Sequence, residues 1–154
     1  MSQPTQHIHA QAGLHRKLVL FAVQLEGYLQ HFPNCHKYTL TQAIRQAFVD
    51  VYNLVTEAQK RYQKRSTLAQ LDVRHEQLRM LINLAHELGL FGYSAGRRDA
   101  QDVGMHRFLV LSRLVDELGR MIGGWLNTEF ALAQKAEDKS HGSATAPAVC
   151  AVGA

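Results

Sequence analysis

No proline occurs between residues 34 and 146 of this 154-residue chain; the three it has are Pro4, Pro33 and Pro147. Proline removes a backbone donor and clashes with the preceding turn, so it is the residue that most directly forbids an uninterrupted helix. A proline-free tract of this length permits long helices, and the apolar spacing shows where they run. Leu14, Leu18, Phe21, Leu25, Tyr28 and Phe32 step four, three, four, three and four, which is one face of a helix. That helix must stop near Pro33, because the residue before a proline is pushed out of the helical region.

Three further amphipathic segments follow. Thr39 opens the second, with Gln42 three residues on in a capping-box pattern, and Leu40, Ile44, Ala47, Phe48, Val51, Leu54, Val55 and Ala58 form its apolar face. It closes on KRYQKR, Lys60 to Arg65. The third begins at Ser66 or Thr67, where Thr67 and Gln70 repeat the capping pattern, and Leu71, Leu78, Leu81, Ile82, Ala85 and Leu88 build its stripe. Arg74 and His75 interrupt that stripe, and a buried cation is disfavoured unless paired. This turn is therefore expected at a bundle end, a cavity or a partner, or else with the arginine stem snorkelling outward. Residues 89–104, with four glycines and Arg97–Arg98, read as a long loop. The fourth helix starts near Asp102 and carries Leu111, Leu114, Val115, Leu118, Ile122, Trp125 and Leu126 to about Lys135.

These segments predict an all-α, up-down-up-down four-helix bundle over residues 13–135. Residues 1–12 are expected to be a flexible N-terminus, and the small, polar, aperiodic residues 136–154 a disordered tail. The six-residue apolar run Leu18–Val23 is too short to span a membrane. Cys35 and Cys150 have no metal-ligand spacing. Together these features suggest a cytoplasmic protein.

Catalytic and metal signatures are missing. A di-iron bundle needs paired Glu-x-x-His motifs, and the nearest approach is a single Asp72-x-x-His75. There is no phosphate-binding glycine loop, no haem-attachment motif and no nucleophile beside a base. No enzyme activity, cofactor or metal is expected. Charge points elsewhere. The formal net charge is +4, and residues 1–70 carry eight Lys/Arg against three Asp/Glu. A basic half suits an anionic partner, nucleic acid above all. Phosphate contact needs clustered cations, and Lys60, Arg61, Lys64 and Arg65 form such a cluster, with Arg74 and Arg79 as further candidates. The competing explanation is local: cations in a last helical turn are favoured by the helix dipole.

The stretch DELGRMIGGW, Asp116 to Trp125, holds three glycines in an otherwise helical context, each costing about 0.5–1 kcal/mol relative to alanine. At about 100° per residue from Leu111, the side chains of Leu118, Ile122 and Trp125 stay on the core stripe, whereas Gly119 and Gly123 fall at about 80° and 120° beside it. Small residues four apart let another helix come close, either a neighbour in the bundle or another subunit. Gly119, Arg120, Gly123 and Trp125 are accordingly candidate subunit-interface residues, with Arg120 paired to Asp116 or to the neighbouring subunit.

DELGRMIGGW, together with FPNCHKYTLTQAI (Phe32–Ile44) and LRMLINLAHEL (Leu78–Leu88), resembles the Avd-type four-helix-bundle family over roughly residues 14–130. These are accessory proteins of diversity-generating retroelements, related to bundles encoded by ribosomal-RNA intervening sequences. Two departures stand out: Thr41 occupies a position where the family commonly has glycine, and the connection around 92–104 is longer than usual. The resemblance implies a homopentameric barrel of bundles with a basic surface. It further implies that the protein associates with the element's reverse transcriptase, binds template RNA or cDNA, and supports error-prone reverse transcription that diversifies a target gene. An intervening-sequence-type RNA-binding bundle without a polymerase partner is the nearest alternative, and a purely structural oligomer is a second.

Overall fold

The computed structural model describes residues 4–142, with side chains described for 11–140. Four helices make up the body: α1 (Pro4–Leu29), α2 (Leu40–Lys60), α3 (Arg65–Glu87) and α4 (Gln101–Gly142). Single 3-10 turns at Asn34–His36 and Leu90–Gly92, and a two-stranded antiparallel hairpin of β1 (Tyr93–Ser94) and β2 (Arg97–Arg98), complete the order. The chain is thus an all-α four-helix bundle carrying one miniature hairpin. Helix α2 packs on α3, α3 on α4, α4 on α1, and α1 more thinly on α2. None of these helices, among the described residues, is long and apolar enough to cross a membrane.

The core follows the apolar stripes. Leu14, Leu18, Phe21, Leu25, Leu29 and Phe32 enter it from the first segment, and Ile44, Val51, Val55 and Ala58 from α2. Leu68, Leu71, Leu78, Ile82 and Ala85 come from α3, and Leu111, Val115, Leu118 and Ile122 from α4. Phe91 closes one end, set edge-on to Phe32 and Tyr28 at ring-centroid distances of 5.2 and 6.4 Å. Aromatic pairs prefer such tilted geometry because the positive ring edge meets the negative face.

Helix ends depart from expectation more than helix interiors do. Helix α1 starts at Pro4, ahead of residue 13, and α4 continues beyond Lys135 to Gly142. Residues 1–3 and 143–154 of the expected terminal segments lie outside the described residues. Neither capping box forms. Thr39 does occupy the position before α2, but its hydroxyl turns back to the His36 carbonyl at 3.4 Å and caps no helical N–H. Thr67 falls inside α3 and is buried, its hydroxyl without a hydrogen-bond partner. Thr41, also buried, has the same unpaired hydroxyl.

The long connection between α3 and α4 is an ordered hairpin. Ala95 and Gly96 both take positive φ, as the two-residue turn of a tight hairpin requires, and pair Tyr93 with Arg98 and Ser94 with Arg97. Arg107 holds it to α4. Its Nη1 donates to the carbonyls of Phe91 (3.0 Å) and Tyr93 (2.8 Å) and to Asp99 Oδ2 (3.0 Å), and its Nη2 donates to Ser94 Oγ (2.7 Å). Close backbone approach at Gly104 makes this possible, since a Cβ there would lie 3.1 Å from both the nitrogen and the Cα of Gly92.

Candidate nucleic-acid interface

The basic cluster is split between two helices and the turn that joins them. Apolar residues sustain the buried face of α2 up to Ala58 and resume at Leu68. A helix continued through 61–65 would carry cations onto that face without partners, which burial opposes. The chain turns instead: α2 ends at Lys60, Arg61 is extended (φ −77°, ψ 143°), and α3 begins at Arg65. KRYQKR is therefore not a helix end, as the sequence suggests, and the dipole favours only part of it. Lys60 lies in the last turn of α2, where a cation is stabilised, whereas Lys64 and Arg65 sit at the start of α3, where the dipole disfavours them.

Other groups offset that penalty. Arg65 Nη1 lies 3.8 Å from Glu137 Oε1, and its guanidinium stands 4.8 Å from the centre of the Phe130 ring. Lys64 Nζ is 5.9 Å from the centre of the Trp125 ring. A cation over an aromatic face at an exposed site contributes about 0.5–1 kcal/mol. Arg61 pairs with Glu57 in the last turn of α2 at 2.6 Å. Nothing in the sequence marks Glu137 and Phe130, because they belong to the far end of α4, where no described residue beyond Ile122 is buried. Between this end of α4 and the turn runs an open groove of about 750 Å³, bordered by Tyr62, Lys64, Arg65 and Ser66 on one side and Glu129, Leu132, Ala133 and Glu137 on the other.

Arg74 and Arg79 do not join the cluster. They are nine and fourteen residues into α3 from Arg65, or about 14 and 21 Å along the axis at the helical rise of 1.5 Å. Arg74 is exposed and donates to Gln77 at 3.0 Å. Arg79 makes a two-pronged contact with Glu76 at 2.7 and 3.0 Å and lies 4.0 Å from Asp116. The hydrogen bonds from Arg79 hold the Glu76 carboxyl below its ordinary pKa, and the same bonds raise that of Arg79.

His75 corrects the reading of its turn as exposed to a cavity or partner. It is 5% exposed, and its Nε2 lies 2.7 Å from the Val115 carbonyl oxygen. A carbonyl only accepts, so Nε2 carries the ring proton. The ring is admitted by Gly119: a Cβ there would stand 2.7 Å from His75 Cε1. The close approach at Gly119 is thus made within the chain, by α3. Around Gly123 and Gly124 nothing lies within 4 Å of an added Cβ, and nothing in the structure explains Gly124. Arg120 is exposed, while Asp116, its expected partner, faces Arg79 instead. Trp125 is half-buried with its indole N–H unpaired.

No curated protein and no solved structure matches this chain. Its family is nevertheless plain, for residues 14–129, from the first core leucine to the glutamate beside the groove, match the model of the bAvd-like (accessory variability determinant-like) family, and the chain belongs to that family.

Proposed function

We propose that this protein is a non-catalytic, cytoplasmic accessory component of a diversity-generating retroelement, binding the element's reverse transcriptase and its template RNA or cDNA during mutagenic reverse transcription. The observation that carries this reading is the family match over residues 14–129. The cationic turn 60–65 supports it, because it lies clear of the core and is open to a large anion. Lys60, Arg61, Lys64 and Arg65 supply the main phosphate contacts, with Arg74 and Arg79 as outlying ones on α3.

The bundle runs up-down-up-down in this reading. Contacts in which one residue number rises as the other falls support it: His15–Tyr52 and Phe21–Phe48 between α1 and α2, Lys17–Glu117 and Gly13–Met121 between α1 and α4, and His75–Gly119 and His86–Phe108 between α3 and α4. Five such bundles form a ring, with Arg120, Gly123 and the half-buried Trp125 at the subunit contact beside Gly119.

Three measurements test the proposal. RNA affinity of the full chain should fall steeply as salt rises. Replacing Lys60, Arg61, Lys64 and Arg65 with glutamine should weaken binding and flatten the slope, by about 0.7 for each phosphate of a single strand that is no longer neutralised. Co-expression with the element's reverse transcriptase should yield a complex, and sedimentation of the protein alone a pentamer. The ion pairs Arg61–Glu57 and Arg65–Glu137 favour a second reading, in which the charges serve only the fold. Absence of RNA binding at low salt would establish that second reading and remove the first.

A further inference from the structure

Tyr62 is 99% exposed, in the middle of the turn between α2 and α3. Its ring contributes nothing to the core, yet it is flanked by four cations and stands at the rim of the groove described above. The two walls of that groove differ in charge. Lys64 and Arg65 line the wall of the turn, Glu129 and Glu137 the wall of α4, and Leu132 and Ala133 give the groove its apolar surface. Lys60 and Lys64 form no ion pair with a carboxylate among the described residues.

This arrangement discriminates between forms of nucleic acid. A duplex carries phosphates along both of its edges, so seating one in the groove would press phosphate against Glu129 and Glu137. A single strand carries phosphates on one edge and unstacked bases on the other. Its backbone can follow Lys60 and Lys64 while a base leaves solvent to lie on the Tyr62 ring. The Glu129 carboxylate of the far wall then faces the base edge, where an exocyclic amino group can donate to it. Aromatic stacking of this kind accepts any base, since every base has a flat π-face.

We propose that the 60–66 turn and the neighbouring part of α4 form a subsite for one unpaired base of single-stranded nucleic acid, with Tyr62 as its stacking platform. The proposal rests on the nucleic-acid reading above and narrows it to single strands.

The test compares a single-stranded RNA oligonucleotide with the same sequence annealed into a duplex, using the full chain. Tyr62→Ala should weaken single-strand binding about five- to 150-fold, the equivalent of the 1–3 kcal/mol of one stacked base, and leave duplex affinity unchanged. Tyr62→Phe keeps the ring and should retain the parent affinity. Tyr38→Ala, at a second exposed tyrosine (84%) in the connection before α2, should change nothing. Because the Tyr62 ring is fully exposed, the variant should fold as the parent does, which its circular dichroism checks. If Tyr62→Ala leaves single-strand affinity intact, or lowers single-strand and duplex affinity equally, the subsite is wrong while the cationic patch stands. If the parent binds neither form, both the subsite and the nucleic-acid reading fall.

Discussion

Two glycines one helical turn apart on α4 have opposite surroundings. At Gly119 the space a methyl would fill is taken by the ring of His75, and that ring is tied to the Val115 carbonyl, so it cannot swing aside freely. At Gly123 the same space is open. Alanine should therefore act with opposite sign at the two positions. Within a single bundle, Gly123→Ala gains helix propensity of up to about 1 kcal/mol, whereas Gly119→Ala loses about 1–3 kcal/mol to overpacking. Urea titration of each variant decides this, and equal stabilisation at both would show that the histidine contact is soft. A helical wheel places Gly119 correctly beside the core stripe. It cannot say that the approaching group is the chain's own histidine, because a wheel has no neighbours. His75 itself is visible in the sequence as a polar residue on an apolar stripe, but the carbonyl that satisfies it lies forty residues away.

Helix interiors are legible in the sequence because burial imposes a 3.6-residue period that side-chain type reveals directly. Their ends are less so. Thr39 and Thr67 carry the right residues for capping at the right spacing, and neither hydroxyl caps a helix. The turn at 61–64 contains no glycine or proline; the need to keep Arg61 and Arg65 off the core breaks the helix, not any local signal. The hairpin at 93–98 is hidden for a related reason: two-residue strands are too short for an alternating pattern to register. Its organiser is Arg107, whose guanidinium gathers two carbonyls, a hydroxyl and a carboxylate. Hydrogen bonds to a charged group contribute about 1.5–3 kcal/mol each and are not additive. Arg107→Met should lower unfolding free energy by about 2–4 kcal/mol. Amide hydrogen exchange should also speed at Asp99, whose N–H is bonded to the Gly92 carbonyl at 2.8 Å. Unchanged protection there would mean that the turn and the Gly92–Gly104 contact suffice without the clamp.

Across the whole molecule, the surface chemistry is concentrated at two sites at opposite ends of α3. One is the cationic turn with its exposed tyrosine and groove; the other is the hairpin with Arg97 and Arg98. Composition shows the excess of basic residues in the first half of the chain, but the carboxylates that temper it come from Glu57 and the distant Glu137. Glu57 reaches Arg61 one helical turn away, whereas only the packing of α4 against the turn brings Glu137 to Arg65. The Arg107 clamp has a consequence for how the intact protein meets a protease. Trypsin requires several residues of extended, movable backbone, and the paired Arg97–Arg98 strand is the most conspicuous dibasic target in the chain. Paired to β1, whose Tyr93 carbonyl and Ser94 hydroxyl are bound by Arg107, it should resist cutting, while the shorter turn after Arg61 is nicked first. In Arg107→Met the order should reverse, so the fragment masses from a brief digest would report, from the outside, whether an internal guanidinium is in place.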